Sequence, residues 1–389
     1  MSPAMTAHRP DKAHRGDRLS YRLLSTYPPT ACGLATFTAA LSDALVANGG
    51  SAGVVRVADG TAQPGPMVVG ELKNDSHGSV MAAIEMLNAG DVAIVQHEYG
   101  LYGGTDGDEV VKILRGLTVP AIAVLHTVLL EPTVHQRQVL EAVVAAAAAV
   151  VVMTESARAR LCDGYRIDES KVATIAHGAA TPPLADRAGF GARPTLLTWG
   201  LLGAGKGIEW VIDAMAMLKD LRPRPRYVVA GRTHPKVAAR EGDRYRDMLV
   251  RRAWEKGVPS SVTFDDTYRD LPSLTRLIQQ ATVVVLPYDS RDQVTSGVLV
   301  DAVAARRPVV ATAFPHATEL LSSGAGIVVP HTNPAALAHA LRLVLSDPDV
   351  ADEMSEEAGR LAPGLGWPSV ARHYAALAHT VTAPLGVTA

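Results

Sequence analysis

An α/β protein of two parallel-sheet domains is the fold class this sequence predicts, and three observations carry it. The chain has 389 residues, more than one ordinary domain of about 100–200 residues uses. Hydrophobic residues make up 48% of it but aromatic residues only 5%, so the core must be built from Ala, Val, Leu and Ile. That mixture is typical of buried parallel strands and the helices packed on them. Short apolar runs also recur at helix-length intervals, which is the rhythm of a parallel sheet.

Taken in order, residues 1–19 are polar and basic and read as a disordered leader. Residues 21–24 read as a strand, residues 25–33 as a turn-rich loop, and Leu34, Phe37, Leu41 and Leu45 then fall on one side of a helix. Apolar runs at 92–95, 122–125 and 150–153 continue the series, so residues 20–185 are expected to form a Rossmann-like domain. From His177 to Pro194 the chain becomes rich in Gly, Ala and Pro, includes the Pro182-Pro183 pair, and loses periodicity, which marks a linker. Strands are expected again at 196–199, 227–230, 262–264, 283–286 and 309–311, giving a second Rossmann-like domain over residues 193–364. Pro363 and Gly364 read as breakers. Beyond them residues 367–379 look helical, within a segment, 365–385, expected to pack back towards the first domain.

Charge and cysteine usage narrow the function classes. Lys plus Arg is 37 against 39 for Asp plus Glu, a net charge of −2, and no run of either sign gives the basic footprint of a nucleic-acid binder. Cys32 and Cys162 are too few for a disulfide scaffold or a thiolate metal site, which favours a reducing compartment. The longest apolar run, 142–153, is far short of the roughly 20 residues that cross a bilayer. A cytoplasmic protein is expected, peripheral membrane contact is left open, and nothing in the pattern fixes an oligomeric state.

Open parallel sheets bind ligands beyond the carboxyl ends of their strands, so two such domains facing each other should hold the chemistry in a cleft between them. The string 200–207, GLLGAGKG, lies between a strand and a helix. It matches part of a P-loop, but Gly207 stands where Ser or Thr would hold magnesium, and Gly203, Gly205 and Gly207 have the wrong spacing for a dinucleotide fingerprint. What remains is a Gly-rich loop ending in Lys206, suited to a diphosphate, or else a turn with a solvated lysine. A second helix start falls at Thr295-Ser296-Gly297, where free amides favour an anion, although Ser296 equally reads as an N-cap. Asp301, inside that helix, could accept both hydroxyls of a ribose. In the first half, 96–100 and His126-Thr127 follow strands directly, and a histidine there (His97 or, ahead of it, His126) could orient a hydroxyl or donate a proton. Asp106/Asp108 and Asp347/Asp349 imitate a metal-binding DxD pair, but loop and capping roles suit them better, so no bound metal and no cofactor is expected.

Together these segments resemble the family 4 retaining glycosyltransferases of the GT-B fold, which transfer a sugar from a nucleotide diphosphate donor. The resemblance runs from residue 21 to about residue 376. Tyr27-Pro28-Pro29 with 32–37, CGLATF, looks like the family's loop against the diphosphate, and it implies that Gly33 binds the donor. His126 matches the histidine near the transferred sugar and Lys206 the phosphate-binding lysine. Thr318-Glu319-Leu320 and 324–330 match a later segment. Leu201 occupies the place of a usual arginine, and the usual pair of glutamates appears as Gln293 and Asp301, as in a distinct branch. The implied catalytic residues are His126, Lys206 and Gln293. Gly33, Lys206, Asp265, Ser296, Gly297 and Asp301 are then the donor-binding residues, with the loop 265–268 at the base, and Glu98 and Tyr99 contact the acceptor. The resemblance implies a metal-independent hexosyltransferase, with GDP-mannose favoured as donor and UDP-glucose second. A saccharide or glycolipid is the implied acceptor. A GT-B phosphorylase or epimerase, or a catalytically silent nucleotide-sugar-binding protein, are the alternatives.

Overall fold

The computed structural model describes residues 18–60, 65–182, 193–233, 235–267 and 269–383. Its first half alternates strands β1 (Ser20–Ser25), β2 (Ser51–Val57), β3 (Val68–Leu72), β4 (Val92–His97), β5 (Ala121–Leu125), β6 (Ala149–Val152) and β7 (Val172–Thr174) with five helices. These are α1 (Gly33–Ala47), α2 (His77–Asn88), α3 (Glu109–Gly116), α4 (Val134–Ala146) and α5 (Glu155–Gly164). The second half carries β8 (Thr195–Trp199), α6 (Ile208–Met217), β9 (Arg226–Ala230), α7 (Pro235–Glu241), α8 (Arg244–Glu255), β10 (Val262–Asp265) and α9 (Leu271–Gln280). It continues with β11 (Val283–Leu286), α10 (Gly297–Ala304), β12 (Val309–Thr312), α11 (Pro315–Leu320), β13 (Gly326–Val329), α12 (Pro334–Ser346), α13 (Pro348–Leu365) and α14 (Trp367–Thr382).

All strand pairs are parallel, in the orders β3-β2-β1-β4-β5-β6-β7 and β10-β9-β8-β11-β12-β13. The α/β prediction of two Rossmann-like sheets holds. In each sheet the order reverses beside the first strand, between β1 and β4 and between β8 and β11. Connections leave to opposite faces at such a point and open a crevice at the strands' carboxyl ends.

The cores are as aliphatic as the composition requires. Leu24, Val55, Val95, Val110 and Leu140 fill one face of the first sheet, and Leu23, Phe37, Leu41, Ile94 and Val124 fill the other. The second sheet is covered by Ile208, Val211, Ile212 and Leu341 on one side and by Leu299, Val303, Phe314 and Ala317 on the other. Val370, Ala371, Tyr374 and Ala378 of α14 join the first domain's core beside α1.

Three expectations are corrected or fall outside the described residues. Pro363 and Gly364 do not break the chain but lie inside α13, which runs on to Leu365. The stop comes from tertiary pairing: Ala179 donates its amide to Leu365 O at 2.8 Å and accepts from Trp367 N at 3.2 Å, closing the helix end from outside. Leu19, assigned to the leader, belongs to the fold, because its carbonyl accepts from Ser51 N at 3.1 Å and its side chain packs on the first domain's core. The rest of the leader, 1–17, the linker centre near 185 and the last residues of the 365–385 segment lie outside the described residues. β2, β3, β7 and β13 add to the strands read from the sequence. No helix among the described residues is long and apolar enough to cross a membrane.

Candidate active site

The Gly-rich loop after β8 is shaped by backbone that only glycine tolerates. Gly207 has φ +63°, and a Cβ on it would lie 1.8 Å from Pro287 O. Gly231, after β9, has φ +152°, and its Cβ would meet Gly200 O at 1.9 Å. These close approaches draw the loop down onto the ends of β9 and β11. Asp289 N donates to Gly205 O at 2.9 Å and Trp210 Nε1 to Asp289 Oδ1 at 2.7 Å, which tie it in place. Lys206 then projects over the ring of buried Tyr288, with Nζ 4.3 Å from the centroid. Among the described residues no carboxylate forms an ion pair with it, and burial lowers its pKa. A half-desolvated ammonium that meets a ring face and no carboxylate among the described residues is a site for an incoming anion.

The start of α10 faces the same crevice. Ser296 is its N-cap, with Oγ accepting from Leu299 N at 3.3 Å, so the capping reading holds. The Ser296 amide, expected to serve an anion, is instead donated to Nδ1 of His316 at 2.8 Å. That leaves Gly297 and Val298, whose amides have no intrahelical acceptor by position. Gly297 is needed for space: a Cβ there would lie 2.9 Å from Nε2 of His177. His177 donates Nδ1–H to Gly178 O at 2.7 Å, which leaves a lone pair on Nε2, the atom facing α10. His177 and His316 were both missed as site residues, since each is a single histidine outside any periodic pattern.

Gln293 is partly buried and turns its Nε2 onto Thr295 O at 3.2 Å. Asp301, one turn into α10, lies in a small pocket with Ala180, Pro182, Leu274 and Ile278. Burial among these apolar groups pushes its pKa up to about 7. Asp265 is held by Thr267 N at 3.0 Å and by the guanidinium of Arg269, which brings its pKa down to about 2. Its carboxylate is therefore already neutralised within its own loop; Tyr268 lies outside the described residues.

Asp301 makes the stability of the fold depend on pH. Its folded pKa lies above the unfolded value, so its stabilising contribution is complete below about pH 4 and is lost as pH rises through about 7. Asp301→Asn should raise stability near pH 8 by about 1–3 kcal/mol and change it little near pH 4. Melting temperatures of the two proteins at both pH values check this.

Across the cleft, His126 follows β5, and its Nε2 lies 2.6 Å from Oε1 of buried Gln96. An amide oxygen only accepts, so in this assignment Nε2 carries the proton and Nδ1 keeps a lone pair. Burial, with His177 and His97 nearby, lowers its pKa to about 3. A ring this hard to protonate is poorly suited to donating a proton near neutral pH, one of the two roles expected of it, and it offers Nδ1 as an acceptor. His97 is also buried, at a pKa of about 4, with its ring edge-on to Tyr99. Glu98 accepts from Thr127 Oγ1 at 2.5 Å and from Tyr99 N at 3.0 Å, whereas the Tyr99 hydroxyl turns away to Gln136 O at 3.3 Å. Gly33 is the first residue of α1, with open space where a Cβ would be, and Cys32 Sγ caps the helix from Ala35 N at 3.4 Å.

The acidic pairs are structural. Asp106 binds His135 Nδ1 at 2.9 Å at the start of α4, and Asp347 caps α13 through Asp349 N at 3.1 Å. Among the described residues no group of three metal-binding side chains occurs.

Two parallel sheets with their switch points facing one crevice define the GT-B architecture. Residues 186–360, somewhat under half of the chain, match the model of the family "Glycosyl transferases group 1". An alpha-D-kanosaminyltransferase of Streptomyces kanamyceticus is 28% identical over 229 residues, covering 55% of each chain. A D-inositol 3-phosphate glycosyltransferase of Kineococcus radiotolerans is 30% identical over 257 residues, 59% of this chain and 56% of the relative. The matches thus span about half the length of these curated relatives. Among solved structures, Anabaena Alr3699/HepE in complex with UDP and glucose superposes with a TM-score of 0.74 at 15% identity, covering 93% of this chain and all of the other, a likeness of fold.

Proposed function

We propose that the protein is a retaining glycosyltransferase that moves a hexose from a nucleotide diphosphate sugar to a hydroxyl of a saccharide or glycolipid without a metal ion. One observation carries this: Lys206, free of carboxylate partners among the described residues, shares the β8/β11 crevice with the glycine-lined start of α10. Breaking the bond between sugar and diphosphate builds negative charge on the leaving phosphate. The ammonium of Lys206 and the amides of Gly297, Val298 and Gly33 meet that charge. The acceptor hydroxyl attacks from the side the diphosphate leaves, its proton passes to the phosphate oxygen, and configuration is retained. His126 accepts a hydrogen bond from a sugar hydroxyl through Nδ1, Asp301 receives the ribose, and Glu98 and Thr127 border the acceptor. Gln293 positions the sugar by hydrogen bonding and brings no charge.

One similar protein is a kanosaminyltransferase and another is bound to UDP and glucose, so glucose and amino-sugar donors on UDP are candidates beside GDP-mannose. A cytoplasmic site of action fits two free thiols, Cys32 and Cys162. The test is transfer in excess EDTA from a panel of nucleotide sugars, with the product's anomeric centre read by NMR. A retained configuration is expected; an inverted one, or strict dependence on a divalent metal, overturns the mechanism. A second reading rests on Leu201 and Gln293, which remove two charges usual in the resembled family: a silent sugar-nucleotide sensor. It predicts donor binding with no release of nucleoside diphosphate under any acceptor.

A further inference from the structure

The contacts that join the two domains converge on α5 and on the loop that carries Gln293. Thr154, the N-cap of α5, donates Oγ1 to Val294 O at 2.9 Å in a fully buried bond. Glu319 of α11 reaches back, accepting from Glu155 N and Ser156 N, each at 2.8 Å, and from Ser156 Oγ at 2.7 Å. Its carboxylate thereby meets the positive end of a helix from the other domain. One turn into α5, Arg160 uses a single nitrogen, Nη1, for two carbonyls: Val128 O at 3.0 Å and Asp292 O at 2.8 Å. Val128 lies two residues beyond His126, and Asp292 directly precedes Gln293. The Arg160 side chain is only 12% exposed and its Nη1 also lies 3.7 Å from the Asp292 carboxylate. The bond to Val128 O is therefore charge-assisted and partly dry and its loss leaves that carbonyl without a donor, whereas the bond to Asp292 O is exposed and its loss frees the loop to solvent. The loop after β5 has two further anchors in its own domain, Thr127 to Glu98 and the Tyr165 hydroxyl to Leu129 O at 2.8 Å.

We infer that Arg160 is a positioning residue that sets the His126 loop of one domain against the Gln293 loop of the other, so that the two halves of the sugar site are in register only while the domains are closed. The role in transfer rests on the glycosyltransferase reading above; the coupling of the two loops does not. Arg160 itself touches neither His126 nor Gln293 through a side-chain bond. It acts through the backbone, and a misplacement of about 1 Å at the reacting centre is enough to cost up to about a hundredfold in rate.

Amide hydrogen exchange on the full chain without ligand tests the coupling directly, comparing wild type with Arg160→Met and Arg160→Lys. In Arg160→Met, peptides covering 290–296 should exchange at least about fivefold faster and those covering 126–133 by a smaller factor, with the cores unchanged. Arg160→Lys, which keeps a cationic donor on the same helix face, should fall between. Should Arg160→Met not fold, Arg160→Gln replaces it, with the same two segments read. Unchanged exchange in 290–296, or faster exchange spread over the whole chain, overturns the inference. With UDP-glucose and GDP-mannose as probes, the variant should lose about tenfold in kcat at a donor KM within about twofold, and hydrolyse a larger share of donor to free sugar. Equal losses in Tm and all rates would mark a merely structural arginine. If wild type turns over neither probe with any acceptor, the functional reading fails while the exchange result still decides the role of Arg160.

Discussion

Replacing Lys206 with methionine is expected to lower the transfer rate by about 100- to 1000-fold, the usual cost of removing one preorganised donor to a developing charge. The same change should leave the melting temperature unchanged or raise it. Lys206 has no carboxylate partner among the described residues, its ammonium lies over the Tyr288 ring, and burial already disfavours its charged form. Exchanging a desolvated charge without an ion pair for an apolar chain of similar length relieves that cost. A desolvated charge without an ion-pair partner in a cleft points to a functional site. Steady-state kinetics and thermal melts on Lys206→Met check both halves. A variant that melts early and transfers normally would make the lysine a structural element of the loop.

Acid should unfold the protein abruptly. His97 and His316 are buried and His126 and His177 partly buried around the cleft, with pKa values lowered to about 4, 4, 3 and 4 in that order, mainly by desolvation. An unfolded histidine titrates near 6.5, so between about pH 6.5 and pH 4 the unfolded chain binds protons that the native chain refuses. Stability is then complete above about pH 6.5 and falls as pH drops, at up to about 1.4 kcal/mol per unit for each group. The four together cost on the order of the entire 5–15 kcal/mol that holds a typical protein folded within about two units. Asp301 opposes them with the reverse sign, but it is one group against four. Melts from pH 7.5 downwards should show a drop of more than about 10 °C by pH 5, and His97→Leu should flatten the slope by about one proton. A flat profile over that range would mean that these histidines are hydrated.

Much of this fold is legible in the sequence because its strands are continuous aliphatic runs. β4, β5, β6 and β11 are buried along their whole length, and a run such as VVVL has no other economical place. β2 and β3 are harder to read: Arg56 interrupts one, and Gly70 and Glu71 leave the other with little apolar signal. Arg56 is buried with Glu71, at 3.1 Å, and Asp59 neutralising it, an arrangement no local pattern announces. In the site, Lys206 and Ser296 declare themselves through helix starts and glycines. His177 and His316 do not, since their positions depend on the start of the linker and on α11 both meeting the first turn of α10. Pro363 fails as a signal for a related reason, because the helix end is decided by pairing with Ala179 rather than by the local residues.

In the proposed function the β8/β11 crevice holds a nucleotide diphosphate through one lysine and helix-start amides. Calorimetric titration of the full chain with UDP-glucose and with GDP-mannose, in EDTA near pH 7.5, tests it most directly. Saturable one-site binding of at least one of them, weakened at least about tenfold in Lys206→Met, is the predicted result. Binding of neither, or binding that Lys206→Met leaves unchanged, would contradict it.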